Sequence, residues 1–277
     1  MEHPPKLSIR WKKVPCAQCY QKQFGRLING PSRFGRKNTS MVARPAEQGL
    51  VENRLLAALP RDEYDRLLSN SQVIRLPRNR ILYEAGDEVR SAYFLSEGIV
   101  SLLAITEDGQ TVDICTIGNE GLVGTPIVLN SPIMPCRVVT QLPCQALVIK
   151  SAPLLMEFNR GKALQRLFLK YAYAQQSEMI QSAVCHSLHT IRQRFCRWLL
   201  VISDSVQSDS FDVTQEHVAN MLGHQRNRIT LAARELLQQG LIEYGGGTMR
   251  ILDRVGLEAA ACECYRVIKE GISNTLR

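Results

Sequence analysis

From about Gln72 to Lys150 the chain breaks into eight short β-rich pieces, QVIRL, RILYEAGD, SAYFLSEG, IVSLLAIT, TVDICTI, GLVGTPIVL, RVVTQL and QALVIK, punctuated by turn residues. Eight strands at roughly ten-residue spacing predict an all-β sandwich or barrel. The clearest hairpin is Glu107-Asp108-Gly109-Gln110, whose glycine supplies positive φ at no steric cost. Glycines at 86, 98, 118, 121 and 124 punctuate the rest.

After this region the period switches. Leu169, Tyr173, Ile180, Val184, Ile191, Phe195 and Trp198 keep one apolar stripe along a helix, while Leu164, Phe168, Tyr171 and Ala174 lie on another face. A helix apolar on two faces must be covered on both. Covering one face with the β domain and the other with a second subunit predicts a homodimer built through a long helix near residues 161–188. An internal core helix is the other reading of the same pattern. The polar SDSVQSDS, 203–210, reads as a linker or loop.

Residues 1–46 show no apolar periodicity and read as a poorly ordered basic arm. Met41 stands just before the first expected helix, Leu50–Leu59, which leaves open whether residues 1–40 are native or reflect the choice of start codon.

The formal charge of +8 suggests nucleic acid until it is divided along the chain. Residues 1–44 carry ten Lys/Arg against Glu2, leaving 24 basic and 25 acidic residues in the remainder, so whole-chain basicity says little about the folded part. Between Arg160 and Leu200, however, Arg160, Lys162, Arg166, Lys170, Arg192, Arg194 and Arg197 face only Glu178, which predicts a positive surface beside the last domain. No run of eighteen apolar residues and no secretory leader pattern is found, so the expectation is a cytoplasmic chain with no membrane association. Its nine cysteines then read as thiols in a reducing compartment.

Residues 214–239, TQEHVANMLGHQRNRITLAARELLQQ, read as two helices around a turn. Thr214 is a good N-cap, Val218, Ala219 and Leu222 form a short apolar face, and Gly223 permits the turn. Ile229, Ala232, Ala233, Leu236 and Leu237 give the second helix its buried side. That leaves His224, Gln225, Arg226, Asn227, Arg228, Thr230 and Arg234 at the turn or facing outward, side chains suited to phosphates and base edges. Glu243–Arg250 then reads as a β-wing, because Gly245-Gly246-Gly247 lacks the Lys and Ser/Thr of a phosphate-cradling loop.

RNRILYEAGDEVRSAYFLSEGIVSLL, IGNEGLVGTPIVL and TQEHVANMLGHQRNRITLAARELLQQGLIEY together make residues 50 to about 265 resemble the Crp/Fnr family of bacterial dimeric regulators. After the arm, 1–46, the resemblance implies an α+β fold in three parts: a double-stranded β-roll of cyclic-nucleotide-binding type, 47–160; a dimerisation helix, 161–188; and a winged helix-turn-helix, 189–277. It also implies DNA contacts at Thr214, Gln215, Gln225, Arg226 and Asn227, with Arg226 at the guanine-reading position. Leu231 departs from family members that carry a second arginine there. Implied partners are duplex DNA with inverted half-sites, a second copy of the chain, RNA polymerase and a small-molecule effector of unknown identity.

The family's cyclic-AMP binders hold ribose with Gly-Glu, the cyclic phosphate with Arg-Ser, and the base with Thr-Ser from the dimer helix. The matching positions here are Gly124-Thr125, Met134-Pro135 or the nearby Arg137, and about Met179-Ile180. No cyclic-AMP response is expected, because a buried phosphate needs a charge-assisted partner.

Cys16 and Cys19 have metal or redox spacing, but a cluster would have to recruit another thiol such as Cys115 or Cys144. Cys262 and Cys264, read as lying within one helix, face different ways. Cys185, His186 and His189 read as ordinary helix-face positions. No metal, cofactor or catalytic residue is therefore expected, and no enzyme motif is found. The competing reading is a ligand- or redox-sensing module, through cysteines or an iron–sulfur cluster, whose DNA binding is weak or lost.

Overall fold

The computed structural model describes residues 44–45 and 53–276. The short strands close into two antiparallel sheets. One has the order β1-β2-β9-β4-β7, formed by β1 (Arg44–Pro45), β2 (Ser71–Leu76), β9 (Cys144–Lys150), β4 (Ser91–Glu97) and β7 (Leu122–Val123). The other has the order β3-β8-β5-β6, formed by β3 (Ile81–Tyr83), β8 (Arg137–Thr140), β5 (Val100–Ile105) and β6 (Thr111–Ile117). β2 and β9, from opposite ends of the segment, pair from Ser71↔Ile149 to Leu76↔Cys144, which closes the roll. Phe94, Leu122, Leu147 and Ile149 are fully buried inside it. The hairpin between β5 and β6 turns at Gly109, with φ 84°.

Two pieces depart from the strand pattern. GLVGTPIVL contributes only β7 as strand; Gly124, at φ 121°, then caps a short helix, α3 (Thr125–Val128), with Pro126 in its first turn. Proline suits that turn because its missing N–H would have no helical partner there. A Cβ on Gly124 would stand 3.0 Å from the Ala92 Cα, so only glycine fits. The expected helix Leu50–Leu59 is α1 (Arg54–Ala57) within the described residues, and Pro60 separates it from an unexpected α2 (Arg61–Leu68). Buried Asn53 ties α1 to the roll: Nδ2 donates to Leu95 O at 2.9 Å and Gly121 O at 2.8 Å, while Oδ1 accepts from Leu56 N.

After α4 (Ser151–Phe158) comes α5 (Ala163–Leu188), 26 residues long. It buries Leu164, Phe168, Tyr171 and Ala174, and the Phe168 and Phe94 rings lie 5.9 Å apart. Leu169, Tyr173, Ile180 and Val184 on its other side are exposed. The apolar stripe read as continuous to Trp198 is divided between two helices. His189 ends α5, and Thr190 opens α6 (Ile191–Val206) through a capping box with Gln193. Phe195 and Trp198 then face a different core. The polar segment 203–210 is not all linker either: α6 continues to Val206, and Ser205 Oγ donates to Val201 O at 2.8 Å one turn back.

The last part contains β10 (Ser210–Asp212), α7 (Gln215–Leu222), α8 (Arg226–Gln238), β11 (Ile242–Gly245), β12 (Thr248–Ile251), α9 (Arg254–Ala260) and α10 (Cys264–Thr275). The wing is β11 and β12, joined through Gly246 and Gly247 at positive φ. β10, not expected from sequence, pairs with β12 as a third strand. Phe195, Trp198, Leu222, Ile229 and Leu236 share one core, into which Ile99 and Leu103 of the roll also pack. α10 turns back against α5.

Candidate nucleic-acid interface

The helix pair is built from local signals. Thr214 is extended at φ −97°, ψ 150°, and its hydroxyl accepts from His217 N at 3.1 Å. Gly223 ends α7 in the left-handed region at φ 65°. We predict that Thr214→Ala costs about 1 kcal/mol of stability and that Thr214→Ser restores it, measured by urea unfolding.

Ile229, Ala232, Ala233 and Leu236 are buried beneath α8, whereas Leu237, expected on that side, is 37% exposed. Gln225, Arg226, Asn227 and Arg228 are all exposed at the amino-terminal end of α8, and Arg234 is exposed two turns later. Thr230 and Gln215 are bonded to each other, the Thr230 hydroxyl donating to Gln215 Oε1 at 2.7 Å, which ties α7 to α8. His224 is engaged from within: Arg194 donates from Nη1 to His224 Nε2 at 2.8 Å and from Nη2 to Leu222 O at 2.5 Å. Burial, and then the neighbouring Arg194 cation, hold His224 below its usual range, so its ring is neutral. Gln225 and Arg228 line one cavity with Asp108 and Gln110 of the β5–β6 hairpin, and Thr111 Oγ1 donates to Asn220 O at 3.3 Å. The roll thus touches the helix pair directly.

The positive surface expected over Arg160–Leu200 is only partly present. Arg194 and Arg197 are buried, because α6 is apolar around them, while Arg160 pairs with Glu157 at 2.8 Å and Arg192 with Glu235 at 3.7 Å.

In the roll, Gly124 begins α3, and the buried Thr125 hydroxyl has no hydrogen-bond partner among the described residues. Met134 is buried and Met179 packs partly buried against the roll core, while Ile180 sits on the exposed side of α5. Arg137 spends its guanidinium on Glu84, donating from Nε and Nη2 to the two carboxylate oxygens, each at 2.9 Å.

A polar cluster beneath α5 was missed from sequence, although Glu178 stood out as the lone acid in a basic stretch. Glu178 accepts from Thr116 N at 3.0 Å and from the Cys115 thiol at 3.4 Å, and burial pushes its carboxyl up to about 7. Asp113, facing the Ser101 and Thr116 hydroxyls, is raised to about 6 by burial.

The cysteines also require correction. Cys16 and Cys19 lie outside the described residues. Cys115 and Cys144, the thiols considered for an arm cluster, are buried in the roll. Cys262 does not share a helix with Cys264: it sits in the loop before α10, and Cys264 is the first residue of that helix. The loop swings both sulfurs toward Cys185 and His189 at the end of α5, and the ligand atoms of all four residues lie within 4.8 Å of one another. His186 is outside this group.

An antiparallel β-roll joined by a long helix to a winged helix-turn-helix defines a class: transcription regulators that couple an effector-type domain to a DNA-binding motif. Two family models match, the cyclic nucleotide-binding domain over residues 73–160 and the Crp-like helix-turn-helix domain over residues 193–260, together more than half of the chain. The chain belongs to the Crp/Fnr family of transcription regulators. It is similar to the transcriptional regulator LdrP of Thermus thermophilus, 25% identical over 199 residues, covering 68% of this chain and 95% of LdrP. In fold it is similar to FixK2 from Bradyrhizobium japonicum (TM-score 0.61, 12% identity, 69% of this chain and 98% of that one). It is likewise similar to a Crp/Fnr-family transcriptional regulator from Eubacterium rectale (TM-score 0.60, 15% identity, 74% and 96%). Among the described residues no helix is long and apolar enough to cross a membrane.

Proposed function

We propose that this chain is a cytoplasmic, homodimeric regulator that reads specific duplex DNA with the start of α8 and acts without cyclic AMP. The observation that carries the reading is the run of Gln225, Arg226, Asn227 and Arg228, all exposed at one helix end above a buried apolar face. Arginine forks pair bidentately with guanine O6 and N7, and amide side chains do the same with adenine. Arg226 is the residue we assign to base reading. Thr214, Gln215, His224, Thr230 and Arg234 make up the rest of the DNA-facing set, with Gln215 and Thr230 also holding the two helices in register. The wing and basic side chains supply phosphate contacts.

Dimerisation through α5 is supported by exposed Leu169, Tyr173 and Ile180, which form an apolar face too continuous for an isolated chain. Independence from cyclic AMP is supported by the Glu84 carboxylate that already occupies Arg137. Gly124, Thr125, Met134, Met179 and Ile180 bring no further cation to a cyclic phosphate. We assign the roll, the long helix and the winged domain to sensing, pairing and DNA reading, with RNA polymerase as the partner through which transcription responds.

Selection of bound fragments from a genomic library by the purified chain tests the reading. It should recover inverted half-sites about one helical turn apart, unchanged by cyclic AMP. Recovery of unrelated fragments, or enrichment only with cyclic AMP, contradicts it.

A further inference from the structure

The cysteine and histidine group at the junction of α5 and α6 has no place in DNA reading. Three thiols and one imidazole converge from two distant parts of the chain. Cys185 Sγ lies 3.5 Å from Cys262 Sγ, and Cys264 Sγ lies 3.4 Å from His189 Nδ1. Cys185, Cys262 and Cys264 are buried and His189 is nearly so.

We propose that Cys185, His189, Cys262 and Cys264 bind one zinc ion, which joins the end of the long helix to the loop before α10. The donor set is the three-cysteine, one-histidine set of closed structural zinc sites. Ligand atoms on a tetrahedral zinc stand roughly 3.5 to 3.8 Å apart, given bonds of about 2.0 to 2.3 Å. The two contacts above, at 3.5 and 3.4 Å, lie at or just under that spacing, and the widest separation in the group is at most 4.8 Å. Four protein ligands in a buried setting leave no open position for substrate, which points to a structural role rather than catalysis.

The surroundings fit as well. With Nδ1 turned to the sulfurs, His189 Nε2 lies 3.3 Å from Glu263 Oε2, the carboxylate partner that fixes the orientation of a metal-binding imidazole. Gln181 Nε2 donates to Cys264 Sγ at 3.1 Å. Three thiolates and a neutral imidazole leave zinc with one net negative charge. Arg197 of α6 is a buried cation whose Nε lacks a hydrogen-bond partner among the described residues. Cys185 and His189 occupy the last turn and the C-cap of α5, immediately before the Thr190 cap of α6. A metal here therefore fixes the connection between the long helix and the DNA-reading part.

The test uses the full chain, purified anaerobically, reconstituted with zinc and assayed for metal, and in parallel loaded with cobalt(II). One zinc per chain and a thiolate-to-cobalt charge-transfer band are expected, and Cys16→Ser/Cys19→Ser should retain both. Cys264→Ser and His189→Ala should weaken metal binding at least about 100-fold, and the exposed Glu263→Gln, which leaves the fold undisturbed, about 10-fold. Substoichiometric metal with a Cys185–Cys262 disulfide in the mapped peptides would overturn the proposal. So would a cobalt band that survives Cys264→Ser and His189→Ala, or one lost in Cys16→Ser/Cys19→Ser. No DNA enters the experiment, so its failure leaves the DNA-reading proposal standing.

Discussion

Phe168→Ala lowers folding stability by about 3 to 5 kcal/mol, read as a drop in the urea midpoint at unchanged slope. Phe168 is fully buried in α5 and meets Phe94 of β4 at 5.9 Å with the rings tilted by 40°. Truncation removes the transfer free energy of the ring and leaves a cavity beside Phe94, inside a close-packed core that relaxes only partly into it. Because the ring pins the long helix to the roll, the loss also weakens the packing on which their relative position depends. A cost below about 1 kcal/mol would mean that α5 is not seated on the roll in solution.

The second large effect is a dependence on pH. Glu178 has its carboxyl raised by burial from the ordinary range to about 7, against Thr116 N and the Cys115 thiol, with Asp113 and Arg197 as the neighbouring charges. The folded chain therefore holds this proton at pH values where the unfolded chain has released it. Stability from this group is fully present below the unfolded value, about 4.3, and is lost as pH rises through about 7. The loss is on the order of 3 kcal/mol. Asp113, raised to about 6 by burial, adds in the same direction over a lower window. Glu178→Gln keeps the shape and removes the titration. It should match the wild type near pH 4 and exceed it by a few kcal/mol at pH 8 in urea unfolding. A wild-type-to-variant difference that does not change with pH contradicts the burial of this carboxyl.

What the sequence revealed, and what it concealed, follow from range. The hairpin at Gly109, the Thr214 cap, the Gly223 turn and the Gly246-Gly247 wing depend on residues a few positions apart, and composition announces them. The alternation along β2, β4 and β9 likewise follows from burial of one sheet face. Pairings between distant segments were not legible. The β10–β12 pair depends on strands about forty residues apart, and three residues such as Ser210–Asp212 carry no alternation to read. The division of the long helix at His189 was hidden because the apolar period continues past it; only Thr190 and Gln193, a capping box, announced the break.

The site divides in the same way. Exposure of Gln225, Arg226, Asn227 and Arg228 follows from the apolar spacing of Ile229, Ala232 and Leu236 on the far face of α8. The positive surface did not follow, since charge counting cannot tell that Arg194 turns inward to hold Leu222 O and His224. The four-ligand group was hidden by a helix boundary: Cys262 and Cys264 converge only because the helix starts between them.

The central claim, that the start of α8 reads base sequence, is tested most directly by measuring Arg226→Ala on a selected duplex and on a scrambled duplex of the same length, at fixed salt. Arg226 should contribute about 1 to 3 kcal/mol of discrimination. The ratio of selected to scrambled affinity should therefore fall about 10- to 100-fold, with scrambled-duplex binding reduced far less. Equal losses on both duplexes, with the ratio unchanged, would contradict the claim and reduce Arg226 to a phosphate contact.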